Sequence, residues 1–426
     1  MDVDTIVDAE SFREWLVKTE QPRSSSVLLA HRATMRLLPY VWRGYSSLSD
    51  ENISILTILR CCLYSWIGVI DARSVLPRKA SEQAASNAIG IRFWLEGIAK
   101  EAFDGAEGAD FKINSRAGGD AEDAARATEA YANSVMATFE ENAEIPVSNS
   151  VTKAARSYGE RIYGNSNDHA ARAFPAFKAD CEELLLGRPL FERPLWAGTD
   201  LGDQIENDHS TPWLDAQATR KNNEPALTTG GLDWSFFVEF YRRSLFGEPQ
   251  NQELVRAILL ADEIDWSDTP SALTVINRIC EQNRLRKEAK SLRKSLEETR
   301  SNAASVLART HNNPPEPIEV EAQQIQTNLL RLWAAVDEAE NELGKLDPSP
   351  NVLKRIAKTL LDSMIDVLKY GAKLGDAFLT KAVEEAGANL AKWGIASGAI
   401  GTLAQNEAIQ AFGKGLLEFA KTIGGP

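Results

Sequence analysis

The chain has 426 residues, 43% of them hydrophobic, so it is long enough for two or three domains and apolar enough to bury a substantial core without staples. A formal net charge of −14 disfavours a whole-molecule nucleic-acid binder, because neutralising phosphate needs a basic surface, and leaves only a local basic patch for that role. The four cysteines, adjacent at Cys61 and Cys62 and isolated at Cys181 and Cys280, make neither a disulfide framework nor a spaced zinc site, so a reducing cytoplasm is the expected compartment.

Met1 to Glu10 is acidic and lacks the basic region and apolar run of a secretory signal, so export by that route is not expected. Helix then follows helix up to about residue 186. Ser11 is placed to cap Phe12 to Gln21, and Ser24 to start a run carrying Val27, Leu28, Met35 and Leu38. After Ser49 comes the most apolar early segment, in which Ile53, Leu56, Leu59, Cys62, Leu63, Trp66, Ile67 and Ile70 recur at three- and four-residue steps; this predicts a helix central to the N-terminal core. Alanine-rich stretches at Ala80 to Phe103, Ala121 to Glu141 and Val151 to Asp180 predict further, closely approaching helices.

From Gly187 to Gly231 the prolines at 189, 194, 212 and 225 break any long helix and predict a linker or packed loop. Trp234, Phe237 and Tyr241 then fall on one helical stripe with Phe240 beside it, followed by Arg242 and Arg243. Such a stripe is either core or a stacking platform for a peptide or a base.

Leu285, Ala289, Leu292, Leu296, Thr299, Ala303 and Val306 alternate steps of 4 and 3, a heptad seam. A Pro-rich stop at 312–317 precedes a second seam of Ile318, Ala322, Ile325, Leu329, Leu332, Val336, Ala339 and Leu343. Two such helices joined by a short turn fold back as an antiparallel hairpin or pair with a second chain. Within the first, Arg284, Arg286, Lys287, Lys290, Arg293 and Lys294 surround a single acid, Glu288. That basic face suits phosphate or an anionic lipid surface, or else is balanced by the acids of the second helix, among them Asp337, Glu338 and Glu340.

Past Asp347-Pro348-Ser349-Pro350 the charge changes sign. Nine Lys/Arg against seven Asp/Glu from Asn351 onward give +2, leaving −16 for residues 1–350. Leu353, Ile356, Leu360, Met364 and Leu368 form one apolar stripe with Lys354, Arg355, Lys358, Asp362 and Lys369 largely off it, an amphipathic helix. Trp393 opens an uncharged stretch to Asn406 that is too short and too polar to span a bilayer, so this tail either packs as ordinary Gly/Ala-rich helices against the hairpin or another subunit, or makes an interfacial contact with a membrane or partner.

Pro194-Leu195-Trp196, the run from Leu232-Asp233-Trp234 to Leu245-Phe246-Gly247, and Asp265-Trp266 through Asn277 resemble segments of a family of bacterial alanine-rich helical proteins with a W-x-x-W-x-x-W-Y-like segment and a coiled region. Phe237 and Phe240 stand where tryptophans are common in that pattern. The resemblance implies a shared helical architecture and no activity.

Catalytic motifs are missing: Gly344-Lys345 and Gly413-Lys414 lack the upstream glycine of a P-loop, and there is no dinucleotide fingerprint and no H-E-x-x-H. Asp168-His169 and Asp208-His209 are the only carboxylate–imidazole neighbours. Asp200, Asp203, Glu206 and Asp208 supply oxygens, but not in the order of a calcium loop. No catalytic residue, metal or cofactor is therefore assigned.

The sequence predicts an all-α protein with a multi-helical N-terminal domain (1–186), a loop and aromatic-rich segment (187–270), an antiparallel coiled-coil hairpin (271–346) and an amphipathic helical tail (351–426). The expected function is non-enzymatic: self-association, with membrane or partner contact through the tail, as in an effector of bacterial conflict or phage defence. The alternative is a soluble adaptor that binds a peptide or nucleic acid through 232–266. A second copy of the chain, a protein, and a membrane surface are the expected partners, and the location is cytoplasmic or peripheral at the inner membrane.

Overall fold

The computed structural model describes residues 2–6, 9–36, 38, 56–70, 84–89, 133, 169–195, 197, 228–229, 232–308, 320–381, 402 and 405–424. Of these, 81% are helical, and their only strands are a two-residue antiparallel pair, β1 (Thr228–Thr229) and β2 (Leu232–Asp233), so the fold is all-α. The chain divides into two compact units, Met1–Asn277 and Arg278–Pro426.

The N-terminal unit contains α1 (Ala9–Lys18), α2 (Arg23–Met35), α3 (Leu56–Ile70), α4 (His169–Leu185), α5 (Ser235–Phe246) and α6 (Gln252–Leu259). Ser11, expected as a cap, lies inside α1, because Ala9 and Glu10 extend the first turn. Nearly every side chain of α3 is buried, as its apolar residues on all sides dictate; α2 and α6 both pack on it. More unusual is α2, which from Ser26 onward is buried all round although it carries Ser26, His31, Arg32 and Thr34, with Arg36 just beyond its end. Phe12 of α1 meets Phe177 of α4 edge to face at 4.9 Å.

Gly247 ends α5 in the left-handed region at φ 69°, with Glu248 N–H donating to the Arg243 carbonyl at 2.8 Å. Glycine is required there twice over, since a Cβ would stand 2.5 Å from the Glu192 carbonyl oxygen. The end of α5 is thereby pressed against residues 192–195, and Leu195 N–H donates to the Leu245 carbonyl at 3.0 Å. The Pro-rich tract read from sequence as a linker or packed loop is, over 187–195, a packed loop with a 3-10 turn at Leu190–Glu192.

The C-terminal unit is a four-helix bundle made of α7 (Thr269–Ala308) from Arg278 onward, α8 (Val320–Leu343), α9 (Pro350–Lys381) and α10 (Asn406–Gly424). Each helix runs antiparallel to the one before it. Arg293 of α7 pairs with Glu340 of α8 at 2.9 Å, while Gln282 reaches the carbonyls of Leu343 and Lys345 at 3.0 and 2.7 Å. Between α8 and α9, Glu338 meets Arg355 and Asn328 meets Asp366. The α9–α10 pair is close: a Cβ on Gly413 would lie 3.1 Å from Leu361, and one on Gly424 would lie 3.3 Å from Pro350 Cβ. One core joins Leu285, Leu292 and Leu296 of α7, Leu332, Val336 and Leu343 of α8, Ile356, Leu360 and Met364 of α9, and Phe412, Leu416 and Phe419 of α10. Hairpin and tail form one bundle, the first of the two readings the sequence leaves for the tail, because the tail's apolar stripe completes the hairpin's.

Candidate functional site

A cavity of about 420 Å³ opens in the N-terminal unit between α2, α3, the 190–195 loop and the end of α5. Its apolar wall comes from Leu28, Met35, Trp66, Ile70, Leu190 and Leu195, and its polar groups from Ser24, His31, Arg32, Glu192, Ser244, Glu248, Gln250 and Gln252. This size and this mixture are those of small-molecule sites in general, which run from about 300 to 1,000 Å³.

The polar foundation is a buried knot. Arg32 Nε and Nη2 form a fork on Asp180 of α4 at 2.9 and 3.0 Å. Arg32 Nη1 donates to the carbonyls of Leu190 and Arg193 at 3.1 and 2.8 Å, and Nη2 also donates to Pro194 at 2.9 Å. All five guanidinium protons are thus spent inside the protein. Arg36 adds a 2.5 Å bond to Asp180 and donates to the Leu195 carbonyl at 2.9 Å. Burial pushes the Asp180 carboxyl upward, but the two arginines outweigh it and hold it below the usual carboxylate range. Burial and the neighbouring cations pull Arg32 down against the pull of Asp180; the five hydrogen bonds keep it charged. The loop carbonyls solvate the buried guanidiniums, so the knot fixes the shape of the loop that floors the cavity.

His31 faces the opposite way chemically. Its Nδ1 lies 2.8 Å from Ser65 Oγ, and the Ser65 hydroxyl donates to the Cys62 carbonyl at 3.0 Å. With its one proton used, Ser65 accepts, so Nδ1 carries the imidazole proton and Nε2 is left as an acceptor. Burial, helped by the charge of Arg32, lowers the His31 pKa to about 3, so the ring stays neutral. No described residue donates to Nε2.

The sequence-predicted binding face is elsewhere and closed. Trp234, Phe237, Phe240 and Tyr241 are buried, and Phe240 packs edge to face on Trp66 at 6.0 Å. Arg242 is forked onto both Glu239 and Glu248, and Arg243 bonds Glu239 at 2.9 Å and the Pro249 carbonyl at 2.8 Å. Hydrogen bonds from Arg242 and then Arg243 hold Glu239 below its ordinary pKa despite burial. These six residues form a core wall and its clamp, not an open platform, because the stripe's apolar area is worth more buried in the unit than in water.

The basic run on α7 is partly neutralised. Arg284 pairs with Glu281 and Glu288, both at 2.6 Å, and Arg293 with Glu340; Arg286, Lys287, Lys290 and Lys294 are exposed. In the tail, Leu353, Ile356, Leu360 and Met364 are buried in the bundle and Leu368 is partly buried against it, so this stripe is not presented to a membrane in the closed bundle. Trp393, Asp168, the acidic loop at 200–208 and His209 lie outside the described residues. Burial pushes the Cys61 thiol up to about 12 and raises Cys181 well above its ordinary value, so neither is a ready nucleophile. Among the described residues no His/Cys/Asp/Glu group suits a metal ion, and no helix is long and apolar enough to cross a membrane.

Sequence reasoning missed His31, Arg32 and Asp180. A signal was present, in that Arg32 and Arg36 stand four apart beside the apolar run Val27 to Ala30, but their partner is 148 residues from Arg32.

No family model matches the chain, and neither a curated protein nor a solved structure matches it at a significant level.

Proposed function

We propose that the protein is a non-enzymatic helical protein whose C-terminal bundle is a latent contact module for a membrane surface or a protein partner. The observation that carries this reading is the use of the α9 stripe: the residues suited to a lipid interface, Leu353, Ile356, Leu360 and Met364, are those on which the bundle closes. Contact through them and closure of the bundle exclude one another. Lys354 and Lys358 stand exposed off the stripe and Arg355 is held by Glu338 of α8, so an opened α9 offers both an apolar stripe and cations for anionic headgroups. Self-association follows from the same logic, since opened helices can pair with those of a second copy. By analogy of plan alone, an effector in bacterial conflict or phage defence needs such a stored surface.

The bundle can be locked to test this. Pro350 and Gly424 are spaced for a disulfide, so the Pro350→Cys/Gly424→Cys variant, oxidised, clamps the start of α9 to the end of α10. Flotation with anionic phospholipid vesicles is expected for the reduced variant and not for the oxidised one. Equal flotation of both contradicts latency, and flotation of neither removes the membrane as the partner.

A further inference from the structure

We infer that the N-terminal cavity is a receptor site for a small, uncharged, largely apolar molecule carrying one hydrogen-bond donor, which His31 Nε2 accepts. Each part of that description comes from a different observation. The volume of about 420 Å³ admits a small molecule and not a peptide segment. The wall, with Trp66, Met35 and Leu28, favours an apolar or aromatic body. Anions are disfavoured, because Arg32 has no proton left to offer and Glu192 and Glu248 are the carboxylates at the cavity. A cation is disfavoured because the largely apolar wall gives it no compensation for lost hydration and Glu248 is already forked by Arg242.

His31 then sets the polar requirement. It is buried, the Ser65–Cys62 relay fixes its tautomer, and its low pKa keeps the acceptor available throughout the physiological range. A ligand without a donor leaves that acceptor desolvated and unpaired, and this costs binding about tenfold or more. The site therefore discriminates between molecules of the same shape by the presence of one N–H or O–H. This site is independent of the bundle and of the reading given for it.

Indole and benzofuran have one shape and differ in the ring N–H, which makes them the probes. Titration calorimetry on the full chain is expected to show saturable indole binding at least about tenfold tighter than benzofuran, with benzoate weaker than both. In His31→Phe the preference for indole is lost while benzofuran binding persists. Ile70→Trp, which fills the cavity from its wall, abolishes both and serves as the second variant if His31→Phe does not fold. Equal affinity for the two probes in the natural chain, preference for benzoate, or no saturable binding of either aromatic at millimolar concentration overturns the inference.

Discussion

The two units bury different things. In the C-terminal bundle the core is mainly leucine, alanine, isoleucine, valine, methionine and phenylalanine, supplied at every third or fourth position by four helices, with Asn328, Glu342 and Ser363 buried as well. In the N-terminal unit an arginine pair, an aspartate and a histidine sit as deep as the leucines around them, beside a cavity. A core assembled mainly from apolar stripes can be opened and re-covered by another apolar surface at modest cost. A core organised by a charged knot cannot, because any rearrangement strands a charge. The contrast underlies the two proposals, exchangeable contact for the bundle and fixed-geometry recognition for the N-terminal unit.

The largest expected effect breaks the knot. Asp180→Ala leaves two guanidiniums buried together, and a loss of about 3–5 kcal/mol in the N-terminal unit is expected by urea unfolding. Leu360→Ala in the bundle removes only packing, and about 3 kcal/mol is expected there. If Asp180→Ala costs no more than a surface substitution, the contrast between the units is broken.

Acid sharpens the comparison next. The folded His31 has a pKa near 3 against 6.5 for the ordinary side chain, so between these values the unfolded chain binds the extra proton. The contribution is complete above pH 6.5 and is lost as pH falls through that window, at about 1.4 kcal/mol per unit for one proton. Asp180, held low, adds a loss further down, below its ordinary value of 3.8. The N-terminal unit is thus expected to soften in acid before the bundle does. His31→Phe flattens the slope between pH 6 and 4, as chemical denaturation at each pH will report; an unchanged slope assigns it to another group.

The smallest effect separates two glycines of the same backbone geometry. Gly187, at φ 68°, has open space around its missing side chain, whereas Gly247, at φ 69°, faces the backbone of Glu192 and Arg193. Gly187→Ala is expected to cost about 1 kcal/mol from strain alone, and Gly247→Ala about 2–3 kcal/mol because the loop that floors the cavity must shift as well. Equal melting shifts for the two remove the loop contact as a structural element of the site.

The bundle was the more legible half. The steps from Leu285 to Leu296 and from Leu329 to Leu343 are local, so the sequence states which faces are apolar, and those residues are buried. What covers the stripe of α9 is not written locally; α10, beyond residues 382–401, supplies it. In the N-terminal unit the aromatic stripe of α5 was visible as a stripe, but whether it faces α3 or solvent depends on residues far away in the chain. The cavity was illegible for the same reason. Its floor exists because Arg32 and Arg36 find Asp180, and no periodicity encodes that meeting.

Whether the stripe of α9 is stored or permanently structural is decided by amide hydrogen exchange, peptide by peptide, with and without anionic vesicles. In solution the amides of Pro350–Lys381 and Asn406–Gly424 should be protected as strongly as those of Val320–Leu343; on vesicles the α8 and α10 peptides should gain exchange together while α9 stays protected by lipid. Vesicle-bound protein whose bundle exchanges as it does in solution would contradict the account.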